Sequence, residues 1–230
     1  MIFGTPPIVT NGLVLHLDAG SRQSYVSGST TWRDLSGNTA LSASLVNGPT
    51  FDSSFQGSIL FDGSNDYAEV PNNAALNSLS GTISVWHRLS AVNVTTYASL
   101  IGKHDAAGSN NGYNIIIYSN GSIAAQIKGI GTTDVAGSPA QTLNVWHNAV
   151  LTYSSGTSHT LYVDNILYSS GPCVTISAIS TQPLRMVDSV DTFWGIMAGN
   201  IANVQIYNRV LSAQEVAQNY NALKSRFGLT

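Results

Sequence analysis

Apolar and polar positions alternate along much of the chain with a period of two. The runs Leu13–Asp18 (Leu-Val-Leu-His-Leu-Asp), Ile83–His87 (Ile-Ser-Val-Trp-His) and Asn203–Tyr207 (Asn-Val-Gln-Ile-Tyr) each send apolar side chains to one face, as half-buried strands do. Tyr113–Tyr118 (Tyr-Asn-Ile-Ile-Ile-Tyr) is denser in β-branched residues and reads as a strand covered on both faces. Turn-forming clusters separate such runs: Ser36-Gly37-Asn38, Asn47-Gly48-Pro49, Asp62-Gly63 and Asn120-Gly121. An Asn-Gly pair suits a two-residue hairpin because both residues tolerate positive φ, so Asn120-Gly121 predicts a hairpin joining Ile115–Tyr118 to Ile123–Ile127. Short strands with turns roughly every 8–12 residues predict an all-β sandwich or barrel.

The pattern changes period once, at the end. Ser212 and Glu215 have capping-box spacing, and Leu211 with Val216 forms a hydrophobic staple around it. Val216, Tyr220, Leu223 and Phe227 then make one apolar stripe, and Gly228 stands where a helix stops. A helix over about 212–227 is expected to dock on the sandwich. Residues 1–10, with Pro6-Pro7, read as an extended N-terminal arm, and no change of composition divides residues 11–230.

Only 9% of the 230 residues are Asp, Glu, Lys or Arg, while Ser, Thr, Asn and Gly number 30, 19, 20 and 21. The surface is therefore polar without being ionic. A net charge of −3 and cations scattered singly from Arg22 to Arg226 argue against a nucleic-acid platform or an anionic-membrane patch. No apolar run approaches the ~20 residues of a membrane span. The first residues lack the charged and apolar regions of a secretory signal, and Cys173 has no cysteine partner. Cys173 is expected to pack as a small hydrophobe.

Candidate chemistry is sparse. Glycoside hydrolysis uses two placed carboxylates, and the chain has two glutamates, Glu69 and Glu215, the second already engaged by the helix cap. Asp34, Asp62 and Asp164 sit beside Ser, Gly or Asn, where an Asx turn explains them. No Gly-x-Ser-x-Gly elbow, His-x-His or His-Glu-x-x-His pattern occurs. His87 and His147 each follow a tryptophan on a predicted strand and so point to the opposite face from it. Calcium is compatible with the Asp- and Asn-bearing loops at Asp18, Asp34, Asn65-Asp66 and Asp188–Asp191, although none has EF-hand spacing.

Several segments, in order, resemble laminin-G-like domains of the concanavalin A-like lectin/glucanase superfamily. They are Gly12–Asp18, Thr31–Asn38, Leu60–Tyr67, Val145–His147, Leu161–Asn165 and Gly199–Ser212, spread over roughly residues 11–228. The resemblance implies a two-sheet antiparallel jelly-roll sandwich with a short C-terminal helix. Two positions depart from the pattern. Asn165 replaces the glycine of the Asp-Gly hairpin, and Asn203, a neutral oxygen donor, is the residue nearest to where many relatives begin the penultimate strand with an aspartate that can help hold a structural calcium. The opening segment around Pro7–Gly20 and the closing Asn221–Leu229 also resemble modules of tailed-phage structural proteins.

That resemblance implies a non-enzymatic virion surface protein, a capsid decoration or fibre or a tail-fibre part, made in the host cytoplasm without an export signal. It implies partners among other virion proteins through the N-terminal arm, self-association, and host-surface glycans. A free carbohydrate-binding lectin and a glycan-cleaving enzyme with a reduced acid set are the alternatives. A sugar site needs an aromatic platform with Asp or Asn hydrogen bonds. Trp86 and Trp146 lie in apolar strand patterns and are expected in the core. Trp194, in Asp191-Thr-Phe-Trp-Gly195, is the platform candidate, with Asp188 and Asp191 beside it; Asp66 and Tyr67, sharing a loop edge, are a second pair.

Overall fold

The computed structural model describes residues 7–91, 97–105, 111–135, 137–188 and 195–230. Among the described residues, sixteen strands follow one another before one α-helix: β1 Leu13–Asp18, β2 Thr31–Trp32, β3 Ala43–Val46, β4 Thr50–Asp52, β5 Ser58–Asp62, β6 Tyr67–Val70, β7 Ser80–Ala91 and β8 Tyr97–His104. They continue with β9 Gly112–Tyr118, β10 Ile123–Gly129, β11 Gly131–Val135, β12 Trp146–Ser154, β13 Ser158–Val163, β14 Ile166–Gly171, β15 Leu184–Met186 and β16 Ala198–Tyr207, then α1 Ala213–Leu223. One sheet runs β14-β13-β12-β7-β16-β5-β4, with β1 also on β16; the other runs β11-β10-β9-β8-β15-β6-β3-β2. The two antiparallel sheets form the expected jelly-roll sandwich.

Alternation explains the layers. Ile83, Val85 and Leu89 of β7, Ala149 and Leu151 of β12, and Val204 and Ile206 of β16 face inward. There they meet Ile115, Ile117, Ile123 and Ile127 of the second sheet in one cluster. His87 lies in this inward series, fully buried, opposite in facing to Trp86 as its position requires. The predicted hairpin joins β9 to β10, with Ile123 paired to Ile117, but its turn is not the two-residue kind: the Gly121 N–H donates to the Tyr118 carbonyl across Ser119-Asn120, and Gly121, not Asn120, takes the positive φ, +82°. Asp164 and Asn165 carry a two-residue turn at φ +52° and +63°, so Asn165 takes the conformation that the resemblance assigned to glycine. Cys173 is buried and unpaired.

The outward face of the first sheet is covered by the C-terminal segment. Ser212 and Glu215 make the complete capping box. The helix is α only to Leu223; Lys224–Phe227 tighten into a 3-10 turn, ended by Gly228 in the left-handed region. Trp86 stacks on Phe227 at 4.3 Å and on Tyr220 at 5.4 Å between centroids, and Trp146 lies 4.7 Å from Phe227. The two tryptophans are buried as expected, but in this second layer rather than between the sheets. Removing an aromatic ring of this size from water contributes about 1.5–3 kcal/mol. A polar seam lies beside it: the amide Nδ2 of Asn219 donates to Tyr207 Oη and Gln205 Oε1, and Asn219 Oδ1 accepts from the Val9 N–H. The described end of the arm, residues 7–10, is thereby held on α1, with Gln218 Nε2 donating to the Pro7 carbonyl.

Candidate functional site

Strands β6 and β15 are short, Tyr-Ala-Glu-Val and Leu-Arg-Met, and their apolar members Ala68, Val70, Leu184 and Met186 are fully buried. Alternation therefore sends Tyr67, Glu69 and Arg185 to the outer face of the second sheet. The register places Arg185 opposite Glu69 on one side and Gly102 of β8 on the other. Arg185 Nε donates to Glu69 Oε2 at 2.8 Å and Nη1 to Asp188 Oδ2 at 3.0 Å, while its guanidinium carbon sits 4.5 Å above the centre of the Tyr67 ring. A planar cation is thus fixed on an aromatic face between two carboxylates. All four side chains are half-buried.

The polar face continues across β8 and β9. Ser99 Oγ donates to Asn114 Oδ1 at 2.8 Å, Asn114 Nδ2 lies 3.3 Å from His104 Nε2, and His104 Nδ1 lies 2.8 Å from the Asp105 carbonyl. Gly102 makes room for this row, since a Cβ there would come within 2.6 Å of Asn114 Oδ1. Lys103 anchors the segment that leads into β15. Its Nζ donates to Asn72 Oδ1, the Ser180 carbonyl and the Gln182 carbonyl at 2.6–2.7 Å. Burial pushes the Lys103 ammonium down to about 8, against the opposing pull of Asp105.

The sequence-derived site residues separate into three groups. Tyr67 and Asp188 meet through Arg185, although 121 positions separate them in the chain. Asp66 does not join them. It is buried, its Oδ2 accepts the Asp62 N–H at 3.1 Å, and burial with the nearby Asp62 charge raises its pKa. Its neighbour Asp62 closes an Asx turn on the Ser64 N–H at 2.7 Å. Adjacent residues at a strand start face different ways, so the expected Asp66–Tyr67 pair is corrected to two separate environments. Asp191 and Trp194 lie outside the described residues; of the flanking positions, Asp188 belongs to the Arg185 cluster and the Gly195 N–H donates to the Tyr97 carbonyl at 3.1 Å. Arg185 was not singled out from sequence, and Glu69 was weighed only as a catalytic acid, not as a binding residue. The available signal was an arginine between two residues of a buried apolar strand, which must point outward.

Four other carboxylates hold the scaffold. Asp34 accepts the N–H groups of His16, Ser36 and Asn38 at 2.6, 3.1 and 3.2 Å. Asp164 accepts the Asn148 N–H at 2.8 Å and lies 2.6 Å from His147 Nδ1. Asp18 accepts from the Gly20 N–H and from Arg226. Glu215 is held down to about 2, first by its Arg209 hydrogen bonds and then by the cap N–H of Ser212. Asn203 turns its amide toward His16 and Gln205. Among the described residues no three His, Cys, Asp or Glu side chains are grouped to hold a metal ion. Among the same residues no helix is long and apolar enough to cross a membrane.

Known proteins share this architecture at low identity. The binding domain of Paraclostridial mosquitocidal protein 1 superposes with a TM-score of 0.74 at 19% identity, covering 93% of this chain and 52% of that one. A Trypanosoma rangeli sialidase, solved in complex with sialic acid, matches with a TM-score of 0.70 at 14% identity, over 96% of this chain and 36% of that chain. The binding domain of botulinum neurotoxin DC, in complex with SialylT, matches with a TM-score of 0.69 at 16% identity, over 93% and 52%. The chain thus spans about half, or less, of the chains it resembles. No curated protein sequence matches it. A family model described as the concanavalin A-like lectin/glucanases superfamily matches residues 62–217. With both sheets, the Asp62 turn and the capped helix start inside or alongside that span, the chain belongs to the laminin-G-type family of the concanavalin A-like lectin/glucanase superfamily.

Proposed function

We propose that the chain is a non-catalytic glycan-binding module whose sugar-facing patch is formed by Tyr67, Glu69, Arg185 and Asp188. The carrying observation is the Arg185 guanidinium, held over the Tyr67 ring and bridged to two carboxylates on a half-exposed sheet face. Sugar hydroxyls pair well with such arrays because carboxylates accept and guanidinium groups donate in fixed planes. Trp194, outside the described residues, is proposed as an aromatic platform, with Asp191 as a further acceptor. The fold shared with toxin binding domains and with a sialidase solved with sialic acid supports the reading. The engagement of the described carboxylates in turns and ion pairs supports binding over cleavage.

We place this module on a phage virion surface, attached through its N-terminal arm and in more than one copy. The support is the resemblance of the opening and closing segments, which meet here through Asp18–Arg226, while Gln218 and Asn219, just before the closing segment, hold Pro7 and Val9. A glycan array tests the binding reading. Arg185→Ala, Tyr67→Ala and Trp194→Ala should each weaken the best glycan at least about tenfold, the size of one charge-assisted hydrogen bond or stacking contact. Absence of binding to any glycan overturns it, and release of reducing ends overturns its non-catalytic part. Mass spectrometry of purified virions tests the placement, which fails if the chain is missing from them.

A further inference from the structure

A cleft opens at the lateral edge of the sandwich, lined by none of Tyr67, Glu69, Arg185 and Asp188. The chain crosses there from β3 in one sheet to β4 in the other through Asn47-Gly48-Pro49, while the loop before β2, residues 25–30, forms the facing wall. Between them open two adjoining cavities of ≈620 and ≈500 Å³ that share Tyr25, Ser27 and Phe51. Together they have the size of a site for a small oligosaccharide.

The walls are fixed in place. The Tyr25 ring packs against Phe51 at 5.5 Å between centroids, and Tyr25 Oη donates to the Ser29 carbonyl at 3.0 Å. Asn47 Nδ2 donates to the Asn65 carbonyl at 2.7 Å, which ties the crossover to the Asp62 turn. Phe51 is half-buried and supplies an apolar surface, while Ser27, Thr50 and Gln56 supply neutral donors and acceptors.

Arg22 lines the ≈500 Å³ cavity and is its one charged residue; the adjoining ≈620 Å³ cavity is lined by uncharged residues alone. It is exposed. Two acids next to the lining in sequence are engaged elsewhere: Asp18 accepts from Arg226, and Asp52 accepts from Ser54 and Asn200. A cleft with an aromatic floor, a neutral polar rim and a single cation suits a sugar that carries a carboxylate. We infer that this edge cleft is a binding subsite for carboxylated oligosaccharides, with Arg22 on the carboxylate and Phe51 against the ring. The inference rests on the glycan-binding reading and extends it to a separate site.

The test titrates the full chain with sialyllactose and with lactose, following backbone amide NMR signals. Sialyllactose should shift amides in 22–30 and 47–53 and bind there about tenfold more tightly than lactose. Arg22→Ala should erase that preference, Arg22→Lys should restore part of it, and Ser27→Trp, an exposed substitution on the shared wall, should block the cleft. Arg185→Ala should leave these shifts unchanged. The proposal is overturned if sialyllactose perturbs only the Tyr67–Arg185 face, in which case the module reading survives without this site. It is also overturned if Ser27→Trp binds as the wild type does. If the chain binds no glycan of any kind, both readings fall; if only the cleft responds, the patch on the sheet face is wrong and the cleft stands.

Discussion

His87 sits in the middle of β7, facing the interior between the sheets, and is completely buried. Its ring lies 6.2 Å from that of His147, and neither of its nitrogens has a hydrogen-bond partner among the described residues. Burial, reinforced by His147 and opposed by Asp164, pushes its pKa from 6.5 down to about 3. The unfolded chain therefore takes up a proton below pH 6.5 that the native fold refuses until about pH 3. Stability is undiminished above that window and falls as the pH drops through it. One pKa unit corresponds to about 1.4 kcal/mol, so the loss is about 1.4 kcal/mol at pH 5.5 and about 2.7 kcal/mol at pH 4.5. With a urea m-value of about 3 kcal/mol/M, the second figure moves the midpoint by about 0.9 M. Urea unfolding of the wild type and of His87→Leu, each at pH 7 and pH 4.5, isolates this contribution from other titrating groups. The variant should lose about 2–3 kcal/mol less than the wild type on acidification. Equal losses in both proteins would refute the reasoning.

The C-terminal cover gives a larger effect. Phe227→Ala should cost about 3–5 kcal/mol in chemical unfolding, because it empties the space between Trp86 and Trp146, and an intact midpoint would show that the layer is not a stability element. Glu215→Ala removes the N3 half of the capping box and the Arg209 pair, and should lower stability by about 1 kcal/mol at pH 7. Because the Glu215 carboxyl is held down to about 2, that difference should be present above its ordinary 4.5 and vanish as the pH falls through 2. At the Asp164-Asn165 turn, Asn165→Gly should be nearly neutral, whereas Asn165→Val should cost about 1–2 kcal/mol in thermal unfolding, since a β-branched residue resists φ +63°.

What the sequence determined by itself is local. The hairpin joining β9 to β10, the Asx turn at Asp62, the capping box of Ser212 and Glu215 and the opposed facing of Trp86 and His87 each depend on residues a few positions apart. Their backbone chemistry was therefore legible before any tertiary contact. Period-two alternation likewise required sheets with one apolar face turned to a shared interior, in a sandwich or a barrel. Tertiary structure alone decided which polar residues meet. Arg185 reaches Glu69 across 116 positions of chain, on a three-residue strand too short to show a period. That Trp86 and Trp146 pack under α1 rather than between the sheets follows from which side of β7 and β12 the C-terminal helix covers, and alternation says only that a residue is on a face. The edge cleft exists because β3 and β4 belong to different sheets, so the loop between them must span the gap. Register and sheet order carry that information, and both are set by the packing of the whole core.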